Sequence, residues 1–187
     1  QLLSGLSAQE KGARGLKSVK EHRLLNRTSC TSVPGVDDAD EWRTTLAAMQ
    51  GLGFASAEIE CINDVVAALL LLGDVGVGAD KSANVHGDSV AALDGGIASV
   101  GRISSLLGVD NAAFAAALTS IKVRETVNTM TVDAATKNRD AVLASMYSRL
   151  FDRIVQRING AGGGEDDESF KSIGVLDIFG FEIFKVN

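Results

Sequence analysis

The residues of this chain whose types and spacing suit chemistry lie near its far end, in the run Ile173-Gly174-Val175-Leu176-Asp177-Ile178-Phe179-Gly180-Phe181-Glu182. A short apolar run bounded by glycine and a charge reads as a strand buried on both faces. Asp177 then sits at the strand's carboxyl end, the edge of an open α/β sheet where loops converge and ligands bind. An Asp-x-x-Gly-x-Glu pattern at that place suits nucleoside triphosphate chemistry. The carboxylate holds Mg²⁺ through water, and Gly180 brings a backbone N–H up to the γ-phosphate. The same residues also fit a strand-end turn aspartate and a surface glutamate, and the run alone leaves both readings open.

Such a strand needs a body to rest on. With 187 residues, 45% of them hydrophobic and 22% charged, the chain is long and apolar enough to bury a core. Its 18 basic against 24 acidic residues leave no basic stripe, which argues against a nucleic-acid partner. The longest apolar run, Val65 to Leu72, is too short to cross a bilayer, so no transmembrane segment is expected. The chain opens on Gln1-Leu2 and shows no secretory leader. Cys30 and Cys61 stand far apart in no metal-binding spacing and read as reduced thiols of a cytosolic protein. An apolar end such as Phe181 to Val186 calls for a cover, so the chain reads as a fragment of a larger domain.

Along the chain, residues 1–20 read as one short helix and a surface linker, and Asn26 to Gly35, with the single proline Pro34, as an irregular loop. Asp38 and Glu41 form a capping-box-like pair, with Asp37 adding charge, ahead of a helix whose Trp42, Leu46 and Met49 share one face and which ends at Gly51 to Gly53. A helix from Ser56 to Gly73 carries the wide stripe Ile59, Ile62, Val65, Val66, Leu69 and Leu70, which makes it central. Asp74 to Gly87 reads as a short strand or hairpin with a loose loop. His22 and His86 read as solvated or structural. Ser89 to Leu107 is helical by periodicity, with Ile97, Val100, Ile103 and Leu107 on one side; Asp110 caps a short Ala-rich helix reaching Leu118. Ser120 to Met130 alternates polar and β-branched residues and reads as an exposed loop or hairpin. The longest helix runs from about Asp133 to Ile158, with Arg149, Arg153 and Arg157 on its solvent side. Residues 160–169 hold four glycines and four acids, a flexible insert before the strand.

Asp177-Ile178-Phe179-Gly180-Phe181-Glu182, preceded by Gly174-Val175-Leu176 and followed by Ile183-Phe184, resembles switch II of the myosin motor head. Upstream matches come in the family's order. They are the Leu24 to Cys30 stretch, Val36-Asp37-Asp38-Ala39-Asp40-Glu41, Gly53-Phe54, Leu70 to Gly73, Leu106 to Asp110, Asn138 to Ala141 and Tyr147-Ser148-Arg149-Leu150-Phe151. The resemblance covers residues 1–187 and points to an unconventional class. It implies an α+β, mostly α-helical fragment of a P-loop NTPase motor domain: a helical subdomain over 1–159, a flexible loop over 160–169, and the switch II strand and loop over 170–187. One core sheet strand is expected at about 172–178, with a short hairpin region elsewhere.

The resemblance further implies an actin-based, ATP-hydrolysing motor of the cytoplasmic actin cytoskeleton, using ATP and Mg²⁺. Asp177 corresponds to the acid that supports Mg²⁺ through water, and Gly180 to the residue whose N–H meets the γ-phosphate. Glu182 corresponds to the partner of a switch I arginine that closes the site around the attacking water. That arginine is not in the chain, nor is any Gly-x-x-x-x-Gly-Lys-[Ser/Thr] P-loop, so the chain by itself is expected to be inactive. Lys122 to Met130 resembles the actin-contacting loop, with Lys122, Arg124, Glu125 and Thr126 as its candidate contacts. Glu125 or Thr126 would be its acidic or phosphorylatable position, although the spacing to Asp140 is one residue short of the family pattern. Light chains or calmodulin would bind through regions outside this chain. The rival readings are another P-loop switch protein, a non-hydrolysing pseudo-motor, and a helical actin- or partner-binding protein.

Overall fold

A computed structural model describes residues 1–80, 90–161 and 174–175. Helix α1 (Leu2–Gly5) and helix α2 (Ala8–Arg14) are followed by a 3-10 turn at Val19–Glu21. Helices α3 (Asp38–Gly51) and α4 (Ser56–Asp74) come next, then strands β1 (Val77–Ala79) and β2 (Ala91–Leu93). A 3-10 stretch (Gly96–Val100) leads into α5 (Gly101–Leu107) and α6 (Asn111–Thr119), strands β3 (Ser120–Val123) and β4 (Thr126–Thr129), and helix α7 (Val132–Ala161). The mostly helical class with short hairpins is the expected one.

Helix α4 is the axis. Its buried face is turned from the expected stripe: Ile59 and Leu69 are buried, Ile62, Val65, Val66 and Leu70 only half-buried, and the fully buried Ala68 and Leu72 pack with Val75, Leu93, Val100, Ile103, Ala115 and Leu118 in the main core. Removing that much apolar surface from water is the main force holding α4 to α5, α6 and the inner face of α7. A second cluster joins Leu2 and Leu6 to Trp42. There the indole lies so close to the Gly5 backbone that a Cβ at Gly5 would fall 1.9 Å from the ring, so only glycine lets α1 and α3 approach this far.

Four further expectations change in the structure. Residues 1–20 hold two short helices in place of the expected single helix and surface linker: Ser7 and Glu10 form a reciprocal capping box at the start of α2, and Leu2, Leu3 and Leu6 are buried. The N-cap of α3 is Asp37, whose carboxylate accepts the N–H groups of Ala39 and Asp40, so the cap sits one residue before the expected position. Ser89 to Leu107 is not one helix. Ala91–Leu93 pairs with β1 as an antiparallel strand, and Gly95 and Gly96, both at positive φ, turn the chain before α5. Period-3.6 matching across a Gly-Gly pair joins two separate elements, and Ile97, assigned to the apolar side, is 54% exposed. The fourth change, at Arg157, belongs to the site described below.

The expected strand at 172–178 lies outside the described residues save for 174–175, and the insert at 160–169 save for 160–161. Gly174 and Val175 are described; both are exposed and join no strand.

Candidate functional site

Of the two candidate sites, Asp177, Gly180 and Glu182 lie outside the described residues, as does His86. Lys122, Arg124, Glu125 and Thr126 are described, and they cluster at the tip of one hairpin. Strands β3 and β4 pair antiparallel with Val123 opposite Thr126 and Lys122 opposite Val127, leaving Arg124-Glu125 as a two-residue turn. Arg124 adopts φ 55°, the left-handed conformation that tight hairpin turns demand and that glycine or asparagine more commonly supplies. Both faces of the ribbon are wet: Ile121, Val123 and Val127 are exposed, and the Glu125 side chain is 97% exposed. Lys122 Nζ stands 3.6 Å from Glu125 Oε2, a solvated pair of little energetic weight.

The root of the hairpin is tied down. Met130 donates its N–H to Thr119 O at 2.8 Å and accepts from Ala91 N–H at 2.9 Å, which joins the hairpin base to β2. From α7, Asn138 Nδ2 donates to Ala117 O at 2.8 Å, and the Thr131 hydroxyl accepts Ala134 N–H at 3.3 Å at the start of that helix. A firmly rooted arm thus ends in a bare tip of two cations, one acid, a hydroxyl and β-branched side chains. Among the described residues no group of three or more His, Cys, Asp or Glu could hold a metal.

At the carboxyl end of α4 lies a polar knot that the sequence-based expectations do not include. His22 is fully buried, and its Nε2 accepts Lys17 N–H at 3.1 Å, so Nδ1 carries the proton and donates to Asp74 Oδ2 at 2.7 Å. The other oxygen of Asp74 accepts Arg23 N–H at 2.7 Å. Arg23 Nε donates to Gly73 O at 2.7 Å, and the buried Arg139 donates to Val75 O at 2.6 Å and through Nη2 to Asp140 at 2.7 Å. Two guanidinium groups therefore occupy the carbonyl end of α4, where the helix dipole favours cations. One signal for it is legible in the sequence: Arg139 falls on the stripe Leu143, Met146, Leu150, and a charge on an apolar stripe asks for a buried partner.

At its other end, α7 is latched by Arg157, which is not turned to solvent as expected. Its guanidinium donates to Gly53 O, stands 3.3 Å from Glu58 Oε1, and lies 5.0 Å above the centre of the Phe54 ring. Glu58 also accepts Ala55 N–H at 2.8 Å, and that backbone hydrogen bond, with Arg157 nearby, holds its carboxyl below the usual range. Arg149 and Arg153 are exposed, as expected. A third clamp is Arg14, only 6% exposed, which bonds Glu60. Asp64 lies 2.8 Å from its Nε but off the N–H axis, so it pairs by charge and not by a directed hydrogen bond.

The myosin head (motor domain) family model matches residues 1–187. Among curated relatives, Myosin-6 of Arabidopsis thaliana is 35% identical over 92% of the chain, covering 11% of that protein. Myosin heavy chain IB of Acanthamoeba castellanii is 36% identical over 100% of the chain and 16% of its own length. Myosin ID heavy chain of Dictyostelium discoideum is 33% identical over 100% of the chain, again a small part, 17%, of the whole. No described helix is long and apolar enough to cross a membrane.

Proposed function

This chain belongs to the myosin head (motor domain) family, and we propose that within an intact head it supplies switch II and one actin-contacting loop of an ATP-driven, actin-based motor of the cytoplasm. The observation that carries the reading is the family match across all 187 residues together with the Asp177-x-x-Gly180-x-Glu182 pattern. A lone carboxylate backed by water suits Mg²⁺, which keeps most of its hydration when bound to protein, so Asp177 is a fitting support for it. The bound cation would neutralise charge developing on the phosphates. Gly180, lacking a side chain, lets its N–H approach a phosphate oxygen closely. Glu182 is the acid whose ion pair with an arginine outside this chain would shut the site and fix the attacking water. The hairpin tip, with Lys122, Arg124, Glu125 and Thr126, would meet the filament.

The test is Glu182→Ala in an intact head. Nucleotide binding is expected to persist while steady-state ATPase falls by about two to three orders of magnitude, in line with loss of a group that acts in the transition state. Unchanged turnover would remove Glu182 from that role.

A further inference from the structure

The β3–β4 arm springs straight from α6, because α6 ends at Thr119 and β3 begins at Ser120 with no residue between them. The direction of the arm is therefore set by the last turn of α6. A helix end leaves its last carbonyls without intrahelical partners, and here each has found a donor. Ala116 O accepts the N–H of Ser120, and Thr119 O accepts Met130 N–H at 2.8 Å, where the arm returns. The two carbonyls between them share one side-chain amide from α7: Asn138 Nδ2 donates to Ala117 O at 2.8 Å and to Leu118 O at 3.2 Å. Apolar packing does a different job at this joint. Ala115 and Leu118 of α6 are buried in the main core, against which Val142, Leu143 and Met146 of α7 pack. Such burial is non-directional and holds α6 to α7 without fixing how its last turn is rotated. Hydrogen bonds have direction, and Asn138 supplies it.

We propose that Asn138 is a positioning residue for the actin-contacting arm: by tying the last turn of α6 to α7, its amide fixes the direction in which Lys122, Arg124, Glu125 and Thr126 are presented to the filament. The proposal rests on the reading of that hairpin as a filament contact. The place of Asn138 in α7 suits the task. Its neighbours Arg139 and Asp140 grip the helical body, Arg139 donating to Val75 O at the exit of α4 and Asp140 accepting from Arg23 Nη2 at 3.2 Å. One turn of α7 thus takes hold of the body with two side chains and of the arm's root with the third. Met130 fastens the arm to α6 and β2 through backbone groups alone, so Asn138 is the side chain through which the arm takes its bearing from α7. An exposed tip with only a 3.6 Å pair between Lys122 and Glu125 has no contact of its own that could set that direction.

The test compares actin-activated ATPase of an intact head carrying Asn138→Ala or Asn138→Asp, the second keeping the shape of the side chain and losing its donor. An arm that holds the competent direction about one fifth of the time binds about fivefold more weakly. The half-saturating actin concentration is therefore expected to rise about fivefold in Asn138→Ala, and further in Asn138→Asp, whose carboxylate would face two carbonyl oxygens, with the rate at saturating actin kept. A residue that only stabilises the fold gives the opposite split, a smaller active fraction that lowers the rate and leaves half-saturation where it was. That outcome overturns the proposal. So does Asn138→Asp behaving as the parent, since shape and not donation would then be what matters. Lys122→Ala/Arg124→Ala measured alongside separates the two readings. A shift there with none at Asn138 removes Asn138 and keeps the arm as a filament contact, whereas no shift in any variant removes the filament contact and the proposal with it.

Discussion

The polar knot at the carboxyl end of α4 and the β3–β4 arm are both built around charged residues, yet they obey opposite rules. In the knot, His22 and Arg139 are out of water, and their hydrogen bonds go to protein groups at 2.6 to 3.1 Å. In the arm, Lys122, Arg124 and Glu125 are exposed and make at most a 3.6 Å pair. Burial turns polar groups into geometric constraints, because a donor deprived of its acceptor cannot turn to water. Exposure removes that constraint. The knot therefore fixes how α4, α7 and the segment from Lys17 to Arg23 stand, while the tip is under no such constraint.

The largest expected effect comes from breaking the knot. Asp74→Ala strands the Nδ1–H of the buried His22 and the N–H of Arg23. At about 1–3 kcal/mol for each buried group left unpaired, the loss is roughly 3 kcal/mol. For a chain of this length that lowers the melting temperature by about 6–12 °C. Chemical and thermal unfolding measure it. A change below about 0.5 kcal/mol would mean the knot is no more constraining than the arm.

The knot also marks how far the sequence can be read. Periodicity finds α4, α6 and α7 and the hairpin because each records its own burial pattern locally. Asp74 reads as part of a loop because its partners, His22 and Arg23, lie 52 and 51 residues away, and no local pattern encodes a contact of that span. Arg157 misleads for the same reason: its spacing after Arg149 and Arg153 describes a solvent stripe, whereas Gly53 and Phe54 reach it from the α3–α4 connection and Glu58 from the first turn of α4. The sequence leaves His22 as solvated or structural, and burial beside Asp74 makes it structural. For the candidate site, the letters of the Asp177 to Glu182 motif carry the whole reading, since a motif states chemistry without stating placement.

A middle case sharpens the contrast, because the Glu58 and Arg157 latch is only partly withdrawn from water. The carboxyl of Glu58 is lowered first by the hydrogen bond from Ala55 N–H and then by Arg157. A carboxylate that ionises more readily when folded stabilises the fold fully above the unfolded value, about 4.3, and that contribution fades as pH falls through the lower folded value. Glu58→Gln is expected to be less stable than the parent at neutral pH, by less than Asp74→Ala, with the gap closing below about pH 4. Urea midpoints taken from pH 3 to pH 7 would follow it. A gap that widens toward acid would reverse the sign assigned to this pair.

The smallest effect is expected at the tip, where Arg124 holds φ 55°. An L-residue in the left-handed region costs about 1–2 kcal/mol, which Arg124→Gly relieves. Glycine in turn restores about 0.5–1 kcal/mol of unfolded-state freedom that folding must remove. The two nearly cancel, so the melting temperature should move by no more than about 2–4 °C, in the stabilising direction, with the denaturant slope unchanged. Because the tip shares no buried contact with the core, the same substitution should leave the effect of Asp74→Ala intact in a double mutant, within about 0.5 kcal/mol of additivity. A larger coupling between Arg124 and Asp74 would show that the arm is not energetically separate from the knot, and that its conformation is set from the core outward.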